Sequence, residues 1–182
     1  MLDHRGVRPF LAAVSLATIL GSPALSRADD DVRAVVAFEA GASLAQPSIV
    51  GGFEAGLRLN DEWSFLLEVD WNPWIAISAP DPVELGALNV GVGVEHIFAD
   101  GLLRAAVFVG SSTLLFDTAL DQAGATGIFL DLVPLSVRVP LVENVVTLRL
   151  DPISAHLVAP VLAGLPLVLY QFRHVVSVEV TP

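Results

Sequence analysis

The sequence predicts an all-β protein: an eight-stranded antiparallel up-and-down transmembrane β-barrel, preceded by a cleavable signal peptide. Three observations carry this reading. Residues after 28 alternate between apolar and polar with period two and show no helical periodicity. Most alternating stretches run to 11 residues or more, whereas soluble strands usually run about five or six and a tilted membrane-crossing strand needs about 9–11. The connections alternate between tight polar turns and longer segments, as in a membrane barrel.

Residues 1–28 have the layout of a secretory signal peptide. Arg5 and Arg8 are the basic start, Phe10–Gly21 the apolar stretch, and Pro23 its end. Ser26-Arg27-Ala28 offers small residues for cleavage after Ala28, and Ala24-Leu25-Ser26 is a second candidate. The apolar run is shorter than the ~20 residues of a spanning helix. Residues 29–182 then form one barrel domain.

Composition narrows the function. The full chain of 182 residues is 54% hydrophobic and only 16% charged, against about 25% charged in ordinary soluble domains. Its nine basic residues are all arginine, its acids number 20, and its net charge is −11. That balance lacks the basic footprint of a nucleic-acid binder. Cysteine is absent, which excludes disulfides, thiolate metal sites and a cysteine nucleophile.

Eight strands are expected, near 33–43, 48–60, 62–74, 84–98, 101–116, 126–139, 144–157 and 167–180. Asn60-Asp61-Glu62, Ala99-Asp100-Gly101 and Val142-Glu143-Asn144 read as tight hairpin turns. Longer connections fall at 44–47, 75–83, 118–125 and 158–166. Pro134 and Pro152 stand inside strands, where a closed sheet accommodates proline at a bulge. Past Pro152 the alternation gives Ser154 and His156 no assigned face.

The placement of charge decides which face is inside. In the third strand Trp63, Phe65, Leu67, Val69 and Trp71 lie opposite Ser64, Glu68, Asp70 and Asn72. In the eighth, Tyr170, Phe172, Val176 and Val178 lie opposite Gln171, Arg173, Ser177 and Glu179. Leu135, Val137 and Val139, with Val133, lie opposite Ser136 and Arg138. Gly41, Gly52, Gly56, Gly91, Gly93 and Gly110 share the charged face. A solvent-facing strand has no reason to prefer glycine. The interior of an eight-stranded barrel does, because it is just wide enough for side chains.

The interior is therefore expected to hold Arg58, Arg104, Arg138, Arg149 and Arg173 with Glu39, Glu54, Glu68, Asp70, Glu95, Asp151 and Glu179. Such groups must pair or meet water, and arginine's planar fork suits bidentate contacts with carboxylates. Trp63 is expected at one membrane interface, with Trp71 and Trp74 at the other. The rise from Trp63 to Trp71 is roughly 19 Å at ~45° tilt, close to an apolar band of ~25 Å once side-chain reach is added.

With strand number, hairpin rhythm and inside–outside pattern in place, residues 29–182 resemble the small eight-stranded outer-membrane β-barrels of Gram-negative bacteria, the class of the OmpA membrane domain and OmpX-like proteins. The resemblance implies an outer-membrane location, contact with outer-membrane lipid and lipopolysaccharide, insertion by the barrel-assembly machinery, and no cofactor. The last residues, Val178-Glu179-Val180-Thr181-Pro182, depart from the terminal aromatic usual in that class. The leading functional expectation is a non-enzymatic barrel with a structural or surface-interaction role. Two alternatives stand beside it. One is a lipid-modifying enzyme using Ser154 and His156 near Asp151. The other is a secreted lipocalin-like carrier, whose apolar face would line a cavity. The scattered histidines His96, His156 and His174 suggest no metal site, and glycine pairs without a following helix and lysine suggest no nucleotide site.

Overall fold

A computed structural model of the chain describes residues 32–44, 49–77, 83–117, 126–143, 145–160 and 169–182. The expected signal peptide lies outside them. The eight strands are β1 (Arg33–Ser43), β2 (Ile49–Arg58), β3 (Trp63–Ile77), β4 (Val83–Phe98), β5 (Leu103–Asp117), β6 (Thr126–Val142), β7 (Val146–Pro160) and β8 (Leu169–Val180). Each pairs antiparallel with the next, and β8 pairs with β1 to close the barrel. Strands β3 and β7 extend into segments expected as loops. Ile75–Ile77 pair with Val83–Leu85, and Ala159 and Pro160 pair with Ile128 and Gly127.

The turns form for local reasons. Asn60 Oδ1 accepts hydrogen bonds from the backbone N–H of Glu62 at 2.9 Å and of Trp63 at 2.8 Å, a side-chain closure typical of asparagine. Ala99, Asp100 and Gly101 all take positive φ, at 53°, 56° and 83°. Glycine at the last of these meets no steric cost.

Both prolines sit at register breaks. The β5–β6 pairing slips between Arg104–Ser136 and Ala106–Val133, around Pro134. The β7–β8 pairing slips between Asp151–Val175 and Ser154–Arg173, around Pro152. Each slip is a bulge that absorbs the missing N–H. Each also reverses the side-chain phase, so Val133 points inward and is buried, contrary to its expected place on the apolar face with Leu135.

The strands are strongly tilted. A ladder path from Trp63 passes His96 and Ala105, crosses the bulge to Leu135 between the pairs Arg104–Ser136 and Ala106–Val133, runs to Ile153, crosses the second bulge to His174 between the pairs Asp151–Val175 and Ser154–Arg173, and continues to Ala42 and Ile49. It returns to β3 two residues beyond Trp71, about ten residues up from its start. Climbing the wall by this stagger sets Trp63 and Trp71 at different levels.

Polarity is inverted relative to a soluble barrel. Phe38, Phe65, Ile128 and Tyr170 are 65%, 58%, 66% and 72% exposed, while Arg104, Arg149 and Glu95 are 0% exposed. The apolar face is outside. A lipocalin-like carrier would turn this aliphatic face inward to line a cavity, and here it faces outward.

Candidate functional site: the charged lumen

The lumen holds two charged layers, one near the tight turns and one toward the longer connections. The first is centred on Glu54 and four arginines. Glu54 Oε1 accepts from Arg104 Nη2 at 2.8 Å, and Oε2 accepts from Arg149 Nη1 at 2.6 Å. Arg104 also meets Glu95 through Nε, and Asp151 at 3.7 Å. Arg149 reaches Ser177 Oγ at 3.2 Å, Glu39 at 3.4 Å and Glu179 at 3.5 Å. Glu179 Oε1 accepts from Arg58 at 2.9 Å and Arg138 at 2.7 Å. Arg138 Nη1 also donates to the Gly101 carbonyl at 3.0 Å, tying the layer to a turn. Ser64 donates to Glu95 at 2.9 Å.

The second layer is built on Arg173. Its Nη1 donates to Asp70 at 2.6 Å and its Nη2 to Asp131. The His156 ring lies between the same acids, 3.8 Å from Asp70 and 3.7 Å from Asp131. Asn89 Nδ2 stands 3.3 Å from Asp70 Oδ2 and 3.1 Å from His156 Nε2. Asn72 donates to Gln171 at 2.5 Å. Phe129 stacks on His156 with ring centroids 5.5 Å apart. Glu68 is buried at 2% exposure and makes no ion pair among the described residues.

An apolar cluster accompanies these layers inside the barrel. It comprises Val35, Leu66, Ala106, Phe108, Phe129, Val133 and Val158. The glycines make room for it: a Cβ on Gly91 would stand 2.6 Å from Phe129 Cζ, and one on Gly93 would collide with Phe108. Side chains, paired charges and aromatic rings together pack the lumen at these levels, while a cavity of about 720 Å³ lined by Arg58, Arg138 and Thr147 opens at the tight-turn end.

The twelve charged residues expected inside occupy the inward phase of their strands. Glu39 is half-buried and the others are buried. Asp131 was missed. Counting by twos from Arg138 and Ser136 through Pro134 puts Asp131 on the outer face, and the bulge returns it to the lumen. The bulge at Pro152 likewise turns Ser154 and His156 inward. Proline inside a strand was the available signal for both. Trp63 and Trp71 face outward, at 44% and 49% exposure. Trp63 packs against His96, with ring centroids 4.4 Å apart. The Trp74 side chain lies outside the described residues.

Among the described residues, no group of histidine and acidic side chains is placed to hold a metal ion. Ser154 Oγ has no hydrogen-bond partner among the described residues, and His156 spends its contacts on Asn89, the two aspartates and Phe129.

No protein-family model and no curated protein matches the chain. Solved structures do. Neisserial surface protein A is 16% identical, with a TM-score of 0.54, over 83% of this chain and 96% of that one. Ail, the attachment invasion locus protein of Yersinia pestis, solved with the heparin analogue sucrose octasulfate, covers the same shares at 7% identity and a TM-score of 0.42. The chain shares the closed eight-stranded barrel fold of the Neisserial protein.

Proposed function

We propose that this chain is a non-enzymatic outer-membrane β-barrel, exported by its first 28 residues, with a structural or surface-interaction role. The observation that carries the reading is the inverted polarity. Aliphatic and aromatic side chains cover the outer wall while arginine–carboxylate layers lie in the lumen. A contiguous apolar wall this large would make a soluble protein aggregate, whereas a bilayer is its natural solvent. The fold shared with a Neisserial surface protein supports the same assignment. Outer-membrane lipid and lipopolysaccharide are the partners of the wall, and barrel-assembly machinery is the route of insertion.

The lumen supports a closed barrel, with the charge layers acting as its core. The lipid-modifying alternative is disfavoured by the burial of Ser154 and His156 inside the wall and by the unpartnered Ser154 hydroxyl. A catalytic group acting on lipid needs access to it and a nucleophile–base hydrogen bond.

Membrane fractionation followed by gel migration of boiled and unboiled samples tests the reading. Outer-membrane recovery with a heat-dependent shift is the expected result. A soluble periplasmic protein without a shift overturns it. Unchanged lipid A in cells carrying Ser154→Ala and His156→Ala is expected as well.

A further inference from the structure

His174 interrupts the apolar outward face of β8, which otherwise carries Tyr170, Phe172, Val176 and Val178. Its neighbours Arg173 and Val175 occupy the inward phase and are buried, so the imidazole is held on the outside. The ladder path from Trp63 reaches His174 after five strands and needs three more to return beyond Trp71. The ring therefore stands between the levels of the two tryptophans, within the apolar belt. Among the described residues it has no hydrogen bond, ion pair or ring contact.

Acyl chains offer such a ring no hydrogen bond, and polar side chains at hydrocarbon depth are costly unless matched. An uncharged imidazole carries one donor and one acceptor nitrogen. Two copies of the ring facing each other across a two-fold axis complete each other, one donating and one accepting. This is the self-complementarity that an isologous interface requires. The surrounding wall permits close approach. Ala42 is the register partner of His174, Ala40 lies beside it on the same outward face, and Ala40 pairs with Gly51. Small residues at a contact let two membrane-embedded walls meet closely.

We propose that the β1–β8 wall binds a second copy of this chain in the membrane, with His174 hydrogen-bonded to its counterpart at the two-fold axis. The proposal rests on the outer-membrane reading.

The chain has no cysteine, so single-cysteine variants report cleanly. Ala42→Cys, beside His174 and leaving the imidazole in place, and Val92→Cys, exposed on the opposite wall, are oxidised in native outer membranes. Several-fold more disulfide-linked dimer from Ala42→Cys than from Val92→Cys is expected. Equal or absent linkage overturns the proposal. In parallel, chemical cross-linking of the unsubstituted chain should trap a dimer that His174→Leu loses and His174→Asn retains. A dimer unaffected by leucine overturns the role of the ring. Persistence of the monomer with lipopolysaccharide bound at this wall overturns the second copy as its occupant. Heat-dependent migration of each variant shows separately whether the barrel has formed, so failure of the membrane reading is seen apart from failure of the dimer.

Discussion

Glu54 bridges Arg104 and Arg149 with one carboxylate oxygen to each, at 2.8 and 2.6 Å. The three residues come from β2, β5 and β7, so one carboxylate ties together distant parts of the wall. Both guanidinium groups are fully buried. A buried charge that loses its partner is far more costly than one never buried.

Glu54→Leu should therefore destabilise the barrel by roughly 3 kcal/mol, the low end of the range for a broken buried pair. The low end applies because Arg104 keeps Glu95 and Asp151, and Arg149 keeps Glu39 and Glu179. The temperature at which the unboiled gel form is lost reads this out. Glu62→Gln, on an exposed turn, should change stability by no more than about 0.5 kcal/mol. Equal effects from the two variants would show that the bridge contributes nothing.

Gly91→Ala places a methyl group 2.6 Å from both Phe129 Cζ and the Val109 carbonyl oxygen. Overpacking of this kind costs about 1–3 kcal/mol. Adding Phe129→Leu should recover part of the loss by relieving the ring contact and leaving the backbone contact in place. Denaturant-induced folding transitions in detergent, compared across the two variants, would show it. Additive losses in the double variant would sink the proposed ring–glycine fit.

How far such contacts could be read from sequence depends on where the strand period is intact. From Trp63 to Asn72 of β3 and throughout β8 no proline intervenes, and counting by twos places Glu68, Asp70, Arg173 and Glu179 inside without further information. Pro134 breaks that count. One extra residue in β6 carries Val133 inward and brings Asp131 to Arg173. Pro152 does the same for Ser154 and His156. A proline shows that a bulge is needed but not how many residues it absorbs, so the phase beyond it is set by pairing with β5 and β8. Pairing between particular charges is also invisible to a count. Which arginine meets Glu54 depends on the stagger of the closed sheet, and that is a property of all eight strands together.

Acid should weaken the barrel. The carboxylates of Glu54, Asp131 and Glu179 accept from arginines in the folded state, and protonation removes the charge that those contacts use. Stability supplied by such pairs is present near neutral pH and is lost as pH falls. The melting temperature in detergent should therefore drop between about pH 7 and about pH 3, with a smaller drop in Glu54→Gln. A pH-independent melting temperature would show that the paired carboxylates do not contribute to folding.

Trp63 and Trp71 should report opposite edges of the apolar belt. Both face outward on β3, with eight residues between them along one strand. At about 3.3 Å per residue and ~40° tilt they stand roughly 20 Å apart along the membrane normal, near the height of the apolar band. Tryptophan settles where its ring meets hydrocarbon and its N–H meets water or headgroups. Single-tryptophan barrels, with the other two tryptophans replaced by phenylalanine, can be placed in bilayers whose lipids carry bromine at defined depths. Fluorescence from each should be quenched more by bromine near the headgroups than by bromine near the chain ends. Strongest quenching of either one by bromine near the chain ends would put that tryptophan at the bilayer centre and shift the belt along the barrel. The interior charge layers would then have to lie at different depths as well, because Ser64 and Asp70 alternate with these tryptophans on the same strand.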